Sequence, residues 1–342
     1  MTENILEVRN LKVEYGAKRS RRKRKSQFTA VNDVSFVIRK GTTLGLVGES
    51  GSGKSSTGMG LLRLTAASSG SVLFEGQDIF ALSRRELRHI RRDMQIVFQN
   101  PYASMDPRMT IRRILMEPVR IHPDLRLGSE VAPVEAALEM VGLNASDADK
   151  YPAEFSGGQL QRIAIARALM PRPGFLVCDE AVSALDVSTQ GQILRLLSDV
   201  QRETGISILF IAHNLAVVRN IADDIGVMYS GDIVELGSAE SVVNEPAHPY
   251  TALLIGSVPS IAVSENVRTL DVVSTHAEPA DPANPPPGCK FNPRCPFAME
   301  ICTRVAPTAR PTKAGGMVAC HLHDHGPKLA GGSMHELDAV GR

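Results

Sequence analysis

GESGSGKSS, residues 48–56, stands between the apolar run TLGLV (residues 43–47) and the helical-looking GMGLLRL (residues 58–64). Its spacing fits G-x-x-x-x-G-K-[ST], with Gly48, Gly53, Lys54 and Ser55 in the specified places and Ser50, Gly51, Ser52 and Ser56 around them. Glycine lets the backbone take positive φ and come close to an anion. A loop of this composition turns its N–H groups inward as a cradle, at the positive end of the helix that follows. Lys54 is then expected to reach β- and γ-phosphates, and the Ser55 hydroxyl to sit on Mg²⁺. The stretch therefore predicts a nucleoside triphosphate site on a strand–loop–helix unit.

Composition sets the frame for that unit. A length of 342 residues suits two domains, or one large domain with an appendage, and hydrophobic residues at 43% with charged residues at 22% are ordinary for a globular protein. A formal net charge of +1 gives no overall field pointing to nucleic acid. No apolar run approaches the roughly 18 residues that a membrane span needs. The start, MTENILEVRN, is unlike a secretory signal, so a cytoplasmic location is expected, with membrane association only through partners.

Along the chain, LEVRNLKVEYG alternates as a strand and is followed by the basic run KRSRRKRK (residues 18–25), then by FTAV and VSFVI. This predicts a small antiparallel β-layer with a basic insertion, read either as a solvated loop or as a contact for acidic lipid headgroups. From about residue 83 to 170 the chain turns helical. FLVCDE and ISILFIAH are short apolar runs suited to a buried parallel sheet, and VMYSGDIVEL suits a hairpin turning at Ser230-Gly231. The fold class expected is α/β: a mostly parallel sheet with an antiparallel β-subdomain and a helical subdomain over about 83–170. The ATPase domain is set at 1–258, a Pro-rich linker at 259–287, a small Cys-rich appendage at 288–325 and a disordered tail at 326–342.

FLVCDE ends its strand with Asp179 and Glu180, and ligands of open α/β sheets bind beyond the carboxyl ends of strands. Asp179 suits Mg²⁺, since hard cations take oxygen ligands, and Glu180 suits polarising an attacking water. In FSGGQLQRIAIARALM, Ser156, Gly157, Gly158 and Gln159 open a strongly helical stretch and form a second anion-primed helix start. One chain holding one nucleotide has no use for two such sites. A head-to-tail dimer does, with each SGGQ capping the γ-phosphate held by the other chain's Lys54 loop.

GESGSGKS, Gln99 in VFQNP, FSGGQ, FLVCDE, Asp186 in SALD and His213 in FIAHN together resemble the ordered motif set of ABC-transporter ATPase subunits, over roughly residues 5 to 258. The resemblance implies ATP as substrate, with Tyr15 stacking on adenine and Phe28 as second candidate. It implies that Gln99 contacts Mg²⁺ or the water, that Asp186 lines the dimer interface and that His213 contacts the γ-phosphate. Phe155 stands where leucine is usual, Ala181-Val182 where Pro-Thr is common, and Asn214 where Asp is frequent. None of these removes a group that hydrolysis needs.

NPYASMDPRMTI, DEAVSALDVSTQGQIL, EPAHPYTALLIGSVP and the C-terminal cysteine segment resemble the ATP-binding subunits of bacterial oligopeptide, dipeptide and nickel importers, leaning to the second ATPase of peptide systems. That implies a second, different ATPase chain, two membrane permeases, an extracytoplasmic solute-binding protein and a place on the cytoplasmic face of the membrane. Nickel or glutathione-like solutes are alternatives to peptides. A soluble ABC ATPase acting on nucleic acid is disfavoured by the single core and the lack of heptads, so no nucleic acid is expected. Cys289, Cys295, Cys302 and Cys320 follow C-x5-C-x6-C-x17-C. A reducing compartment argues against disulfides, and the lack of close Cys pairs argues against structural zinc. The reading left open is an iron–sulfur cluster, zinc or free thiols, and the importer resemblance points to a 4Fe–4S cluster. Cys178 reads as a small buried apolar residue. His321, His323 and His325 read as metal ligands or, more simply, as an exposed tail.

Overall fold

The structure is a computed structural model that describes residues 4–16, 28–122, 134–257, 284–325 and 329–340. The basic run and most of the Pro-rich linker lie outside these residues.

The first half of the chain forms β1 (Asn4–Tyr15), β2 (Phe28–Arg39), β3 (Thr43–Val47), α1 (Lys54–Leu61), β4 (Ser69–Phe74), β5 (Gln77–Asp78), α2 (Arg84–Asp93), β6 (Met94–Val97), α3 (Ile111–Leu115), α4 (Glu117–Ile121), α5 (Val134–Met140) and α6 (Gly157–Leu169). The second half forms β7 (Phe175–Asp179), α7 (Val187–Thr204), β8 (Ser207–Ala212), α8 (Leu215–Arg219), β9 (Asp224–Tyr229), β10 (Asp232–Ser238), α9 (Ala239–Asn244), α10 (Pro249–Gly256), β11 (Arg310–Pro311), β12 (Met317–Val318) and α11 (His335–Val340). The chain divides into two compact units. The first comprises Met1–Glu7, Val37–Thr43 and Val72–Ala212, and the second Val8–Phe36, Leu44–Ser71 and His213–Arg342.

In the first unit β6, β7 and β8 run parallel, with Val97 opposite Cys178 and Asp179 opposite Ile211. Every residue of β7 and β8 is buried, which explains their unbroken apolar sequence. The stretch expected to be helical contains a strand, β6, directly after α2. MQIV is too short to show a period, and its pairing with β7 decides its state. TIRRILMEPVRI, expected as one helix, forms the separate α3 and α4, with Pro118 in the first turn of the second.

In the second unit β3 lies parallel to β9, with Val47 opposite Val227, and β9 turns into antiparallel β10. That turn is Ser230-Gly231, at φ 46° and 90°, as two-residue hairpins require. β10 pairs in turn with β12, and β12 with β11. The segment expected as a separate Cys-rich appendage is therefore built into this unit. β12 covers the free edge of β10, which relieves an unpaired strand edge. Phe291 is buried at 1% exposure against Tyr229 and Tyr250. The expected disordered tail is also corrected: Leu329 and Met334 are buried with Ala247, Val318 and Leu322 in one apolar cluster.

Candidate functional site

In the second unit the loop after β3 closes tightly on itself. A Cβ on Gly48 would stand 2.1 Å from Met228 O, and one on Gly53, at φ 103°, would stand 2.2 Å from Ala30 O. Both positions exclude any side chain. Gly53, the N-cap of α1, is left-handed and makes no side-chain cap hydrogen bond. Lys54, only 4% exposed, donates through Nζ to Gly48 O at 2.7 Å, Glu49 O at 2.9 Å and Ser52 Oγ at 3.3 Å. The ammonium is thus folded back over the loop, where a β- or γ-phosphate would exchange for those acceptors. Ser55 and Ser56 are the second and third residues of α1. Tyr15 Oη donates to Ser56 Oγ at 3.3 Å, and the Tyr15 ring stacks near that of Phe28, with centroids 6.5 Å apart at 17°. The two adenine candidates are thus neighbours, at the end of β1 and the start of β2. His213 is exposed, directly after β8, and Asn214 caps α8 through Ala216 N.

In the first unit Asp179 closes β7 at 7% exposure. Glu180 follows in the left-handed region at φ 48°, held by its N–H to Ile211 O at 3.0 Å. A non-glycine residue there carries strain of about 1–3 kcal/mol, a cost that collects where a side chain must be aimed. Gln99 Nε2 donates to Glu180 Oε2 at 2.8 Å and to Ser183 Oγ at 3.1 Å. Gln99 and Glu180, 81 positions apart in sequence, thus meet in space. A 380 Å³ cavity beside them is lined by Gln99, Asn100, Tyr102, Gly157, Gln161 and Ala181.

Ser156 caps α6 in a reciprocal box: Gln159 N donates to Ser156 Oγ at 3.3 Å and Ser156 N to Gln159 Oε1 at 2.9 Å. Space beside Gly157 is open, whereas a Cβ on Gly158 would meet Thr189 Cγ2 at 2.6 Å. Asp186 caps α7, accepting from Thr189 N at 2.9 Å, Thr189 Oγ1 at 2.8 Å and Ser188 Oγ. Those bonds, from Ser188 first, lower its pKa to about 2.

The four C-terminal cysteines lie in the second unit with free thiols. Each sulfur faces a backbone N–H close in sequence: Phe291 and Asn292 for Cys289, Phe297 for Cys295, Met299 for Cys302 and Leu322 for Cys320. Burial raises the pKa of Cys289 and Cys320 and pushes Cys295 up to about 12, with charge on the neighbouring cysteines acting the same way. Cys178, buried in β7, is likewise pushed up to about 12 by desolvation, as an inert core thiol is. His325 is exposed as expected, whereas the other two histidines differ from an exposed tail. His321 is 2% exposed, and His323 bonds Ala247 O at 2.9 Å and Gly331 N at 3.1 Å. Asp324, not His323, joins His321 and His325 within 4.8 Å, and no three of the four thiols gather that closely.

Sequence reading missed Glu49, Tyr250 and Arg294, whose contacts with one another join the loop to the C-terminal segment. Glu49 fills an unspecified place in the motif. Arg294 is a charge placed among cysteines, which was the one available signal.

The second unit thus carries a glycine-lined loop with a buried lysine, and the first an acidic strand end bonded by a glutamine and an SGGQ helix start, the residue types that the comparisons with known proteins place in one family. The ABC transporter family profile matches residues 31–183, and that of the oligopeptide/dipeptide transporter C-terminal region matches residues 234–302. The chain belongs to the ABC transporter family of ATPases, in its oligopeptide/dipeptide branch. It is 45% identical over 323 residues to the oligopeptide transport ATP-binding protein AppF of Bacillus subtilis, covering 94% of this chain and 98% of that protein. It is 47% identical over 293 residues to the probable peptide ABC transporter ATP-binding protein y4tS of Sinorhizobium fredii, covering 86% and 82%. Among solved structures it is similar to the ADP conformation of MJ1267, an ATP-binding cassette of an ABC transporter, at TM-score 0.61 and 27% identity over 75% of this chain and 99% of that one. The dimeric post-hydrolysis cassette MJ0796 bound to ADP and Pi is similar at TM-score 0.59 and 26% identity, covering 68% and 98%.

Proposed function

We propose that this chain is the ATP-hydrolysing subunit of a peptide importer, working as one half of an ATPase dimer on the cytoplasmic face of the membrane. Among the described residues no helix is long and apolar enough to cross a membrane, so solute passes through other chains. Two permeases, an extracytoplasmic binding protein and a second, different ATPase complete the assembly. The names of the curated relatives support peptides as cargo.

The loop N–H groups and Lys54 bind the β- and γ-phosphates, and Tyr15 stacks on the adenine. Ser55 and Asp179 offer the hard oxygen donors that Mg²⁺ takes, with Gln99 as a further contact, and the ion neutralises charge on the phosphates when bound. Glu180 accepts a proton from, and orients, the attacking water, while His213 contacts the γ-phosphate. Ser156, Gly157, Gly158 and Gln159 cap the nucleotide of the opposite chain, with Asp186 beside that interface. The exposed Tyr102 and the 380 Å³ cavity next to Gln99 suit a coupling helix of a permease, so that Gln99 senses docking and nucleotide together.

The four cysteines fit a 4Fe–4S cluster. Burial holds the free thiols protonated, and the backbone N–H groups beside the sulfurs are donors that ligating thiolates would use once a cluster bound them. The C-x5-C-x6-C-x17-C spacing, without close Cys pairs, supports the cluster over a structural zinc. The cluster would cross-link the segment between Gly288 and Cys320. Anaerobically purified protein should be brown, with iron and acid-labile sulfide; a colourless protein carrying one zinc would replace the cluster by a zinc site.

The observation that carries the hydrolytic reading is the Gln99–Glu180 hydrogen bond at the end of β7. Glu180→Gln in the assembled transporter should keep ATP affinity and lose turnover by about 10²–10⁴, the usual worth of a positioned base. The same variant should accumulate an ATP-bound dimer and stop peptide uptake. Near-normal hydrolysis would remove Glu180 from this role.

A further inference from the structure

We propose that Arg294 is a positioning residue for the phosphate loop, through which the cysteine-bearing C-terminal segment sets the affinity for nucleotide. Every polar group of Glu49, the residue after the first glycine of the loop, is engaged. Its N–H donates to Tyr250 Oη at 2.8 Å, and its carbonyl accepts from Lys54 Nζ at 2.9 Å. Its carboxylate takes both prongs of the Arg294 guanidinium, Nη1 to Oε2 at 2.8 Å and Nη2 to Oε1 at 3.0 Å. A planar fork on a carboxylate fixes orientation as well as distance, which an ammonium could not do.

The brace is stiff on its far side. The Arg294 side chain is 10% exposed, and its guanidinium lies 5.8 Å from the Phe291 ring centroid and 6.0 Å from that of Tyr229. Tyr250 is fully buried and packs edge-on against Tyr229, with centroids 4.7 Å apart. Both partners of Glu49 thus belong to one aromatic cluster, and 245 positions separate the two ends of the ion pair. Arg294 closes the turn Asn292–Arg294, and the next residue is Cys295. Whatever folds the four cysteines therefore also fixes the guanidinium. Because Lys54 is held by Gly48 O and Glu49 O, a shift of the Glu49 peptide moves both the loop N–H groups and the ammonium.

This inference rests on the reading that the Lys54 loop binds nucleotide, and the test separates the two. Binding of a fluorescent ATP analogue with Mg²⁺ is titrated on the full chain alongside thermal unfolding. Arg294→Gln and Glu49→Gln should each weaken binding about tenfold, as loss of a largely buried charge-assisted pair implies. The double variant should lose little more than either single one, a coupling in affinity that a merely structural anchor would not produce. Arg294→Lys should fall between wild type and Gln, because the charge stays and the fork is lost. Cys295→Ser should weaken binding to the same extent. Wild-type affinity in Glu49→Gln, which leaves the C-terminal segment untouched, would overturn the proposal while Lys54→Ala still weakens binding by roughly 100-fold. Unchanged binding in Lys54→Ala would instead overturn the loop reading and this inference with it.

Discussion

At α1 the N-cap is Gly53, left-handed and without a side-chain cap, while at α6 the N-cap is Ser156, closed by a reciprocal box with Gln159. The first helix start has no capping side chain and takes its rigidity from distant partners: Tyr250, Arg294 and the backbone of Ala30 and Met228. The second is closed by a residue three positions away, Gln159. A loop that must grip a polyanion needs open donors and a fixed backbone together, and only tertiary contacts supply both. A helix start that presents itself to another molecule can be capped locally and still keep the open side of Gly157.

The largest effect that could break this comparison is at Lys54. Lys54→Ala removes the only ammonium placed by the motif to reach the phosphates and leaves Gly48 O and Glu49 O without that donor. ATP affinity should fall by roughly 100-fold, in line with two to three charge-assisted bonds lost together. Isothermal titration on the isolated chain checks it. A loss no larger than that caused by altering Ser156 would mean that the two helix starts are equivalent.

The same contrast explains what was legible in the sequence. Gly48, Gly53 and Lys54 could be read because one short motif fixes their spacing, and Ser156 with Gln159 because their box closes within three residues. Gln99 and Glu180 meet across 81 positions, and only the ordered motif set pointed to the pair. Glu49 with Arg294 had no such set behind it. β6 was hidden because four residues carry no period, and β11 and β12 because two-residue strands exist only through the edge they cover. The appendage and tail were misplaced for a related reason: Pro, Gly and His suggested exposure, but Phe291, Leu329 and Met334 bury the segment in the second unit.

Buried polar groups near the loop's brace give a second, intermediate prediction. Glu235 is fully buried and accepts from Ala247 N at 2.8 Å and His248 N at 2.9 Å, and burial raises its pKa to about 7. His248, also buried, is lowered to about 3 by desolvation. A raised acid binds protons more readily when folded, so its contribution is full below about 4.5 and lost as pH rises through about 7. A depressed histidine does the reverse: its contribution is present above about 6.5 and lost as pH falls toward about 3. Between pH 4.5 and 6.5 the two slopes oppose each other. Glu235→Gln should leave the histidine unopposed, adding a loss of about 1.4 kcal/mol per unit as pH drops below 6.5 relative to wild type. Denaturant titrations at several pH values measure this slope. An unchanged profile would show that the pair does not titrate within the folded unit, and that the brace rests on the aromatic cluster alone.

The smallest expected effects are at α6, and their pattern across neighbouring residues is what sharpens the comparison. Ser156→Ala deletes the acceptor for Gln159 N and should cost about 1 kcal/mol of stability, the usual worth of an N-cap. Gly157→Ala adds a methyl where nothing stands within 4 Å and should change stability by no more than about 0.5 kcal/mol. Gly158→Ala sets a methyl 2.6 Å from Thr189 Cγ2, so the threonine must turn and a cost of about 1 kcal/mol follows. If α6 serves only its own unit, ATPase activity of the assembled dimer should track these stabilities, and Gly157→Ala should be silent. If α6 caps the nucleotide of the opposite chain, Gly157→Ala should lose ATP-dependent dimerisation and turnover while unfolding like the wild type. The divergence between thermal stability and ATP-induced dimer yield, measured by light scattering, therefore decides whether the open side of Gly157 is a surface for another chain.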